Sequence, residues 1–416
     1  MKKRKSKKAK KVLGIIAALL VVFILSTIVA TLAGNRKNTK IASSFETVQI
    51  EDRLIPEKDE NGCWTFTTDR NFKVMQITDV HLGGGWLSIK KDAMALNAVA
   101  AMITEEKPDL VIATGDIAYP VPFQAGTANN LASAKIFAAL MEKLGIYWTV
   151  TFGNHDTEIY SYYDRNDISD FYENSGFKYC LYQSGPEDVD GYGNHVINVK
   201  NTAGEITQSL FMLDSHAYTD KDPLGIRWIY DNIHDNQVEW YENTLREINL
   251  QNNAVLTANG KQPIDTVKSL MFIHIPLTEQ KDAWFEYADN GYKDTENAKL
   301  VYGVAGETDK IVYCGAGEDR MFEAILEHGS TKAVFFGHDH KNNFAISYKG
   351  VQLSYSYSID YLAYIGISKE GAQRGCTVID IRPDGSFNSH LENYYQDKYE
   401  SLYEKEQVTM QEVVNG

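Results

Sequence analysis

Residues 146–156, Ile-Tyr-Trp-Thr-Val-Thr-Phe-Gly-Asn-His-Asp, decide the fold. The first five are an apolar, β-branched and aromatic run bounded by a turn signal, the pattern of a buried strand. The glycine that follows opens a turn. It presents an amide (Asn154), an imidazole (His155) and a carboxylate (Asp156) on successive positions. Those groups are a neutral oxygen ligand, a proton donor and an acceptor. By itself the segment also reads as a polar loop after a core strand, so its meaning depends on the rest of the chain.

Working toward the N-terminus, Asp109-Leu110-Val111-Ile112-Ala113 is a second strand, closing on Thr114-Gly115-Asp116. Phe72 to Ile77 is a third, ending in Thr78-Asp79-Val80-His81 and a triple-glycine turn. Residues 88–107 and 127–145 carry apolar side chains at helical spacing, stopped by Pro108 and Gly145. Strand, helix, strand, helix, strand is an α/β order. In open sheets of that kind, ligands sit beyond the carboxyl ends of the strands.

Toward the C-terminus, Ser209 to Leu213 is strand-like and ends at Asp214. Residues 235–250 are helical. Ser269 to Ile273 ends in His274, and Thr331 to Phe336 ends in Gly337-His338-Asp339-His340. A helix is expected over 318–328, a hairpin around Tyr348-Lys349-Gly350, and a strand over 376–381. Two tracts have few long apolar periods: 157–208 reads as an insertion of loops and short elements near the site rim, and 283–317 as a long irregular loop.

The first eleven residues hold eight Lys or Arg, and 12–34 carry no charge. At ~1.5 Å per residue this stretch covers a hydrocarbon core of ~30 Å. The basic flank favours the cytoplasmic side, which leaves the rest of the chain on the extracellular side of the cell membrane as a single-pass protein. A cleaved signal peptide is the competing reading, but its apolar region is usually only ~7–15 residues. The expected organisation is a basic tail (1–11), a transmembrane anchor (12–34), a stem with an edge strand (35–70), one globular domain (71–395) and a polar acidic tail (396–416).

Residues 1–40 contain 11 of the 41 basic side chains and no acidic one, so the remainder carries 30 basic against 56 acidic groups. A surface that acidic repels nucleic acid and argues against a coating role there. Cys63, Cys180, Cys314 and Cys376 have no Cys-x-x-Cys spacing. Outside the cell they could form two disulfides or remain unpaired small core residues.

Five strand ends thus carry potential metal ligands: Asp79 with His81, Asp116, Asn154 with His155, His274, and His338 with His340. This series, Asp-x-His, Gly-Asp, Gly-Asn-His-Asp, a lone His and Gly-His-x-His in that order, resembles the calcineurin-like metallophosphoesterase family. Gly225 to Trp228, Gln237 to Trp240 and Gly185 to Asp188 resemble a fungal and plant branch related to purple acid phosphatases. The resemblance implies an α+β sandwich of two packed mixed sheets flanked by helices, with the metal site in loops at the sheet ends. It implies one metal on Asp79, His81 and His340, a second on Asn154, His274 and His338, and Asp116 bridging both. His155 would face the substrate, oriented by Asp156.

The implied chemistry is hydrolysis of a small-molecule phosphoester by hydroxide held between two divalent or mixed-valence ions. Nitrogen and oxygen ligands without thiolate suit Mn, Fe, Zn or Co better than Mg or Ca, with Mn, Fe or Zn expected first. Two such ions outweigh Asp79, Asp116 and a hydroxide, so the pocket stays cationic on an acidic protein. Phosphomonoesters are the expected substrates, with phosphodiesters or nucleotides as alternatives. A surface binding module without turnover is the reading from a different class.

Tyr119 occupies the Gly-Asp-x-x-Tyr position at which purple acid phosphatases bind ferric iron. Those enzymes lack the His of Asp-x-His. With His81 present, Tyr119 is expected to be a wall residue and the protein colourless. Tyr355, Tyr357, Tyr361 and Tyr364 could line the mouth or pack against neighbours. His195, His216, His234, His328 and His390 are expected to be structural or at the surface.

Overall fold

The computed structural model describes residues 2–403 except 318, 365, 366 and 368–373, together with 405, 406 and 408. The helices are α1 (Lys2–Ala42), α2 (Ile89–Glu106), α3 (Pro122–Ala125), α4 (Asn130–Leu144), α5 (Arg165–Asn174), α6 (Asp235–Ala258), α7 (Thr278–Asp289) and α8 (Met321–His328). The strands are β1 (Glu57–Lys58), β2 (Trp64–Thr67), β3 (Phe72–Ile77), β4 (Leu110–Thr114), β5 (Tyr147–Thr151), β6 (His195–Lys200) and β7 (Ile206–Met212). The remaining strands are β8 (Ser269–Phe272), β9 (Ala298–Tyr302), β10 (Thr331–Phe336), β11 (Ala345–Tyr348), β12 (Val351–Tyr355), β13 (Gly375–Ile381) and β14 (Phe387–Asn393).

They form two mixed sheets. One has five strands in the order β14-β13-β3-β4-β5, and the other has nine in the order β1-β2-β6-β7-β8-β10-β12-β11-β9. β3, β4 and β5 are parallel to one another, as are β7, β8, β10 and β12. Their carboxyl ends therefore gather at one end of each sheet.

Alternation along the strands explains why two sheets pack. Val74, Leu110 and Ile112 of one sheet meet Leu210, Leu270, Phe272 and Phe335 of the other in a shared core. The opposite face of the five-stranded sheet (Met75, Ile77, Val111, Ala113) packs under α2 and α4, together with the end of α1. The opposite face of the other (Met271, Ile273, Val334, Phe336) packs under α6 and α8. With period two, successive side chains serve the two layers, so strands buried on both faces read as continuous apolar runs.

Several expectations are refined or corrected. At the start of the segment expected as stem and edge strand (35–70), α1 continues to Ala42, and Ile41, Ala42, Phe45 and Val48 are buried in the helix–sheet core. β2 joins the nine-stranded sheet beside β6, and Phe66 is fully buried. The short elements expected in 157–208 include α5, capped by reciprocal Asp164 and Asp167 bonds, and β6, an interior strand of the nine-stranded sheet. The tract 283–317 contains the end of α7 and the sheet-edge strand β9. Of the expected tail, Tyr399 is buried and its hydroxyl donates to Glu106 at 2.7 Å, whereas residues 409–416 lie outside the described residues. All four cysteines are free thiols.

Candidate metal centre

Each group of potential ligands sits just past a strand: Asp79 and His81 after β3, Asp116 after β4, Asn154 and His155 after β5, His274 after β8, and His338 and His340 after β10. Both sheets contribute, and the loops meet closely. A Cβ on Gly115, at φ +81°, would lie 2.5 Å from Nδ1 of His274. One on Gly153 would lie 2.1 Å from Oδ1 of Asp116. Glycine at these positions is what lets backbone approach ligand. Asp79, His81, Asp116 and His338 themselves hold positive φ (50°, 51°, 52° and 77°). Left-handed backbone at non-glycine residues costs on the order of 1–3 kcal/mol each and collects at functional sites.

Asp116 occupies the middle. Its Oδ2 lies 3.2 Å from Nε2 of His81 and 3.3 Å from Nε2 of His274, and its Oδ1 accepts from the His155 amide at 2.8 Å. On one side, Asp79 Oδ1 is 3.3 Å from Nε2 of His340, and ligand atoms of Asp79, His81, Asp116 and His340 all lie within 4.8 Å of one another. On the other side, Asn154 Oδ1 is 3.2 Å from Nε2 of His274, whose ring stands edge-on to His338 with centroids 5.2 Å apart. Nδ1 of His274 faces the Thr114 carbonyl at 2.8 Å, which leaves Nε2 for a cation. Tyr218 hydroxyl accepts from Nδ2 of Asn154 at 2.9 Å and so keeps Oδ1 turned inward.

The electrostatics fit a cation pair. Burial pulls the His274 imidazole down, but Asp116 and Asp79 outweigh it and lift it to about 9. Burial likewise opposes a charge on Asp116, yet His274 and His155 hold its carboxyl well below the usual range. Burial and its neighbour His274 keep His338 well below the imidazole range, hence neutral. Its Nε2 and Asp79 Oδ1 are buried without a hydrogen-bond partner. A neutral imidazole nitrogen and a carboxylate oxygen left unpaired in the interior are each costly unless a cation sits against them. The donor set, imidazole, carboxylate and amide oxygen without thiolate, suits Mn, Fe or Zn.

Two supporting carboxylates were not foreseen. Asp360, fully buried after β12, faces Nδ1 of His81 at 3.4 Å with one oxygen and Nδ1 of His340 at 3.2 Å with the other. Glu158 lies 2.7 Å from Nδ1 of His155. The spacing of three after His155 was the available signal for Glu158. For Asp360 it was an acid just beyond another parallel strand. Asp156 does not contact the His155 ring, contrary to expectation. Its oxygens accept from the amides of Asp116 (2.9 Å), Gly153 (2.8 Å) and Ala118 (2.8 Å), which ties two ligand-bearing loops together. Burial and the charge of Asp116 raise its carboxyl to about 6.

The centre opens into a cavity of about 340 Å³ whose wall includes Tyr119, Tyr160, Tyr218, Trp228, Tyr230 and Tyr364. Among the described residues no Lys or Arg lines it, while Glu158, Glu307 and Asp339 do. Tyr119 stacks on the His81 ring and donates its hydroxyl to Gln124 at 2.9 Å. Of the four tyrosines after the last metal block, only Tyr364 reaches the mouth. Tyr355, Tyr357 and Tyr361 are buried.

The remaining histidines lie apart from the centre. His195 is buried, His216 and His234 stack on each other at 4.0 Å, and His328 and His390 pair with Glu242 and Glu392.

The chain is 29% identical over 326 residues, 72% of this chain and 73% of the other, to "Probable inactive purple acid phosphatase 14" of Arabidopsis thaliana. It is 27% identical over 344 residues (79% and 81%) to "Probable inactive purple acid phosphatase 29" of the same plant. It is 25% identical over 299 residues (67% and 46%) to "Phosphatase DCR2" of Saccharomyces cerevisiae. Among solved structures, a dimetal phosphatase from Danio rerio aligns with TM-score 0.44 at 12% identity, covering 77% of this chain and 99% of that one. The calcineurin-like phosphoesterase profile matches residues 72–342, which span every ligand-bearing loop described above, and the chain therefore belongs to the calcineurin-like phosphoesterase family.

Proposed function

We propose that the protein is a metal-dependent phosphomonoesterase with a binuclear centre, held at the cell membrane by α1 with its catalytic domain outside. The observation that carries the reading is the Asp116 carboxylate lying within 3.3 Å of imidazoles from both sheets. Asp79, His81 and His340 would hold one ion, Asn154, His274 and His338 the other, and Asp116 both. The ions supply charge for the phosphoryl oxygens and an acidified water.

The chain's own groups do the rest. Asp360 holds Nδ1 of His340 in a hydrogen bond and lies 3.4 Å from Nδ1 of His81, and the Thr114 carbonyl holds Nδ1 of His274, contacts that would set which ring nitrogen is left for an ion. With Nδ1 held by Glu158, His155, which lines the cavity, would keep Nε2 for a substrate. From there it can donate to a phosphoryl oxygen or hand a proton to the leaving alkoxide. Water oxygen adds to phosphorus, the ester P–O bond breaks, and the alcohol leaves protonated.

Relatives named inactive favour a second reading, a binding module that keeps its ions without turnover. Paired aryl mono- and diester substrates with Mn²⁺ separate the two. The enzyme reading expects metal-dependent hydrolysis, faster for the monoester, with His155→Ala losing most activity while retaining both ions. Absence of turnover on both substrates with the ions bound would favour the binding module.

The apolar stretch of α1 is exposed along its length and long enough to cross a membrane. Its basic N-terminal flank supports an inside-to-outside orientation.

A further inference from the structure

The direction in which α1 leaves the domain bears on the substrate. Its uncharged stretch ends at Gly34, which packs so closely on Ile89 that a Cβ there would lie 2.4 Å from the Ile89 side chain. One turn on, Asn38 donates to Asp92 at 3.3 Å. Past the helix, Thr47 and Val48 donate to the carbonyls of Lys143 (3.0 Å) and Leu144 (2.9 Å). Ile89 and Asp92 open α2, directly after the loop carrying Asp79 and His81. Lys143 and Leu144 close α4, just before β5 begins. The chain from 34 to 48 thus descends from the end of the domain that holds the metal centre to the opposite end. Followed backward along the same uninterrupted helix, residues 12–33 project beyond the end that holds the centre.

That end also carries exposed apolar side chains on successive loops. Phe123 is 93% exposed, Ile226 73%, Trp228 64%, Ile159 62% and Leu87 44%. They follow β4, β7, β5 and β3, at the same end of the sheets as the cavity, and Trp228 lines the cavity itself. Asp92 braces the innermost of these loops, accepting from the amides of Gly83 (2.8 Å) and Gly84 (3.1 Å) while holding Asn38 of α1. Side chains of this kind, next to a membrane-crossing helix, suit the headgroup boundary. The cavity itself is walled largely by aromatic side chains, a lining compatible with an apolar leaving group.

We infer that the mouth of the metal centre faces the bilayer crossed by α1, and that the substrate is a phosphomonoester borne by a membrane lipid. This rests on the phosphoesterase reading and on α1 remaining as an anchor. One water is consumed and the ester P–O bond breaks. Phosphate leaves to the aqueous side, and the lipid alcohol, carrying the displaced oxygen and a proton, stays in the membrane.

The test uses the full chain in nanodiscs with Mn²⁺. Phosphatidic acid in the disc is compared with 4-nitrophenyl phosphate in solution. The lipid phosphate should be turned over, and Phe123→Glu and Ile226→Glu should each slow it about tenfold or more, the scale set by losing one buried apolar side chain. The aryl phosphate rate should not change. Aryl phosphate turnover with phosphatidic acid untouched would overturn the lipid assignment and leave the phosphoesterase intact. If neither substrate is hydrolysed, the phosphoesterase reading fails and the lipid assignment falls with it. Orientation has its own readout: a benzoylphenylalanine photo-crosslinker at position 123 should capture lipid, and the same group at Asp384, in the turn at the opposite end, should not. Equal capture at both positions would overturn the membrane-facing mouth.

Discussion

Nδ1 of His155 lies 2.7 Å from Oε1 of Glu158, so the partly exposed imidazole that lines the cavity is held by an acid three residues along the loop, not by its neighbour Asp156. This contact sets which ring nitrogen is presented to a substrate. Glu158→Ala should lower kcat about a hundredfold, the lower end of what a positioned general acid contributes. Metal content should not change. Glu158→Gln should recover part of the loss, because the amide oxygen can still accept from Nδ1. Steady-state kinetics alongside metal analysis checks this.

Asp360 touches no substrate, yet it faces two proposed ligands at once. Asp360→Asn would present one imidazole N–H with an amide N–H. Metal affinity should fall about 10–100-fold, as for other carboxylates that orient metal-bound imidazoles. Titration calorimetry with Mn²⁺ measures it, and activity should return at high metal concentration.

His195 gives the fold a pH dependence separate from the centre. It is buried, with Nε2 2.8 Å from the Thr149 hydroxyl and Nδ1 2.8 Å from the Gly193 carbonyl, and burial lowers it from 6.5 to about 4. Between those values the unfolded chain takes up a proton that the folded chain refuses. Stability is therefore full above pH 6.5 and is lost as pH falls toward 4, by up to about 3 kcal/mol. His195→Gln should flatten this window relative to the parent in urea melts at pH 7 and pH 5.

Tyr119 stacks on His81 with its hydroxyl committed to Gln124. Tyr119→Phe should keep both ions and change kcat by no more than a few-fold. The parent should show no visible charge-transfer band. An absorption band abolished by the substitution would contradict the assignment of Tyr119 as a wall.

Local signals made the frame legible. A two-sided apolar strand closed by a polar residue, with a glycine before it after β4, β5 and β10, is written within ten positions, and so β3, β4, β5, β8 and β10 with their terminal ligands could be read directly. What escaped depends on distant partners. Phe66 and β2 look like a free edge strand until β6 lies beside them. β9 finds its place only against β11. Asp360 has no motif of its own and acquires meaning only because β12 runs parallel to β10, which brings it under His340. Asp156 was misread for a related reason. Adjacency in sequence to His155 suggested a side-chain contact, but the turn sends its carboxylate back to the amides of Asp116 and Gly153.

The central claim is that loops from two sheets cage a pair of cations around Asp116. Metal analysis of the purified chain beside its Asp116→Ala variant, each assayed on an aryl phosphomonoester, tests it most directly. The account predicts two Mn, Fe or Zn ions per parent chain with metal-dependent hydrolysis, and loss of both ions and turnover in the variant. A parent chain that holds no ion, or a variant that keeps its full metal content and rate, would contradict it.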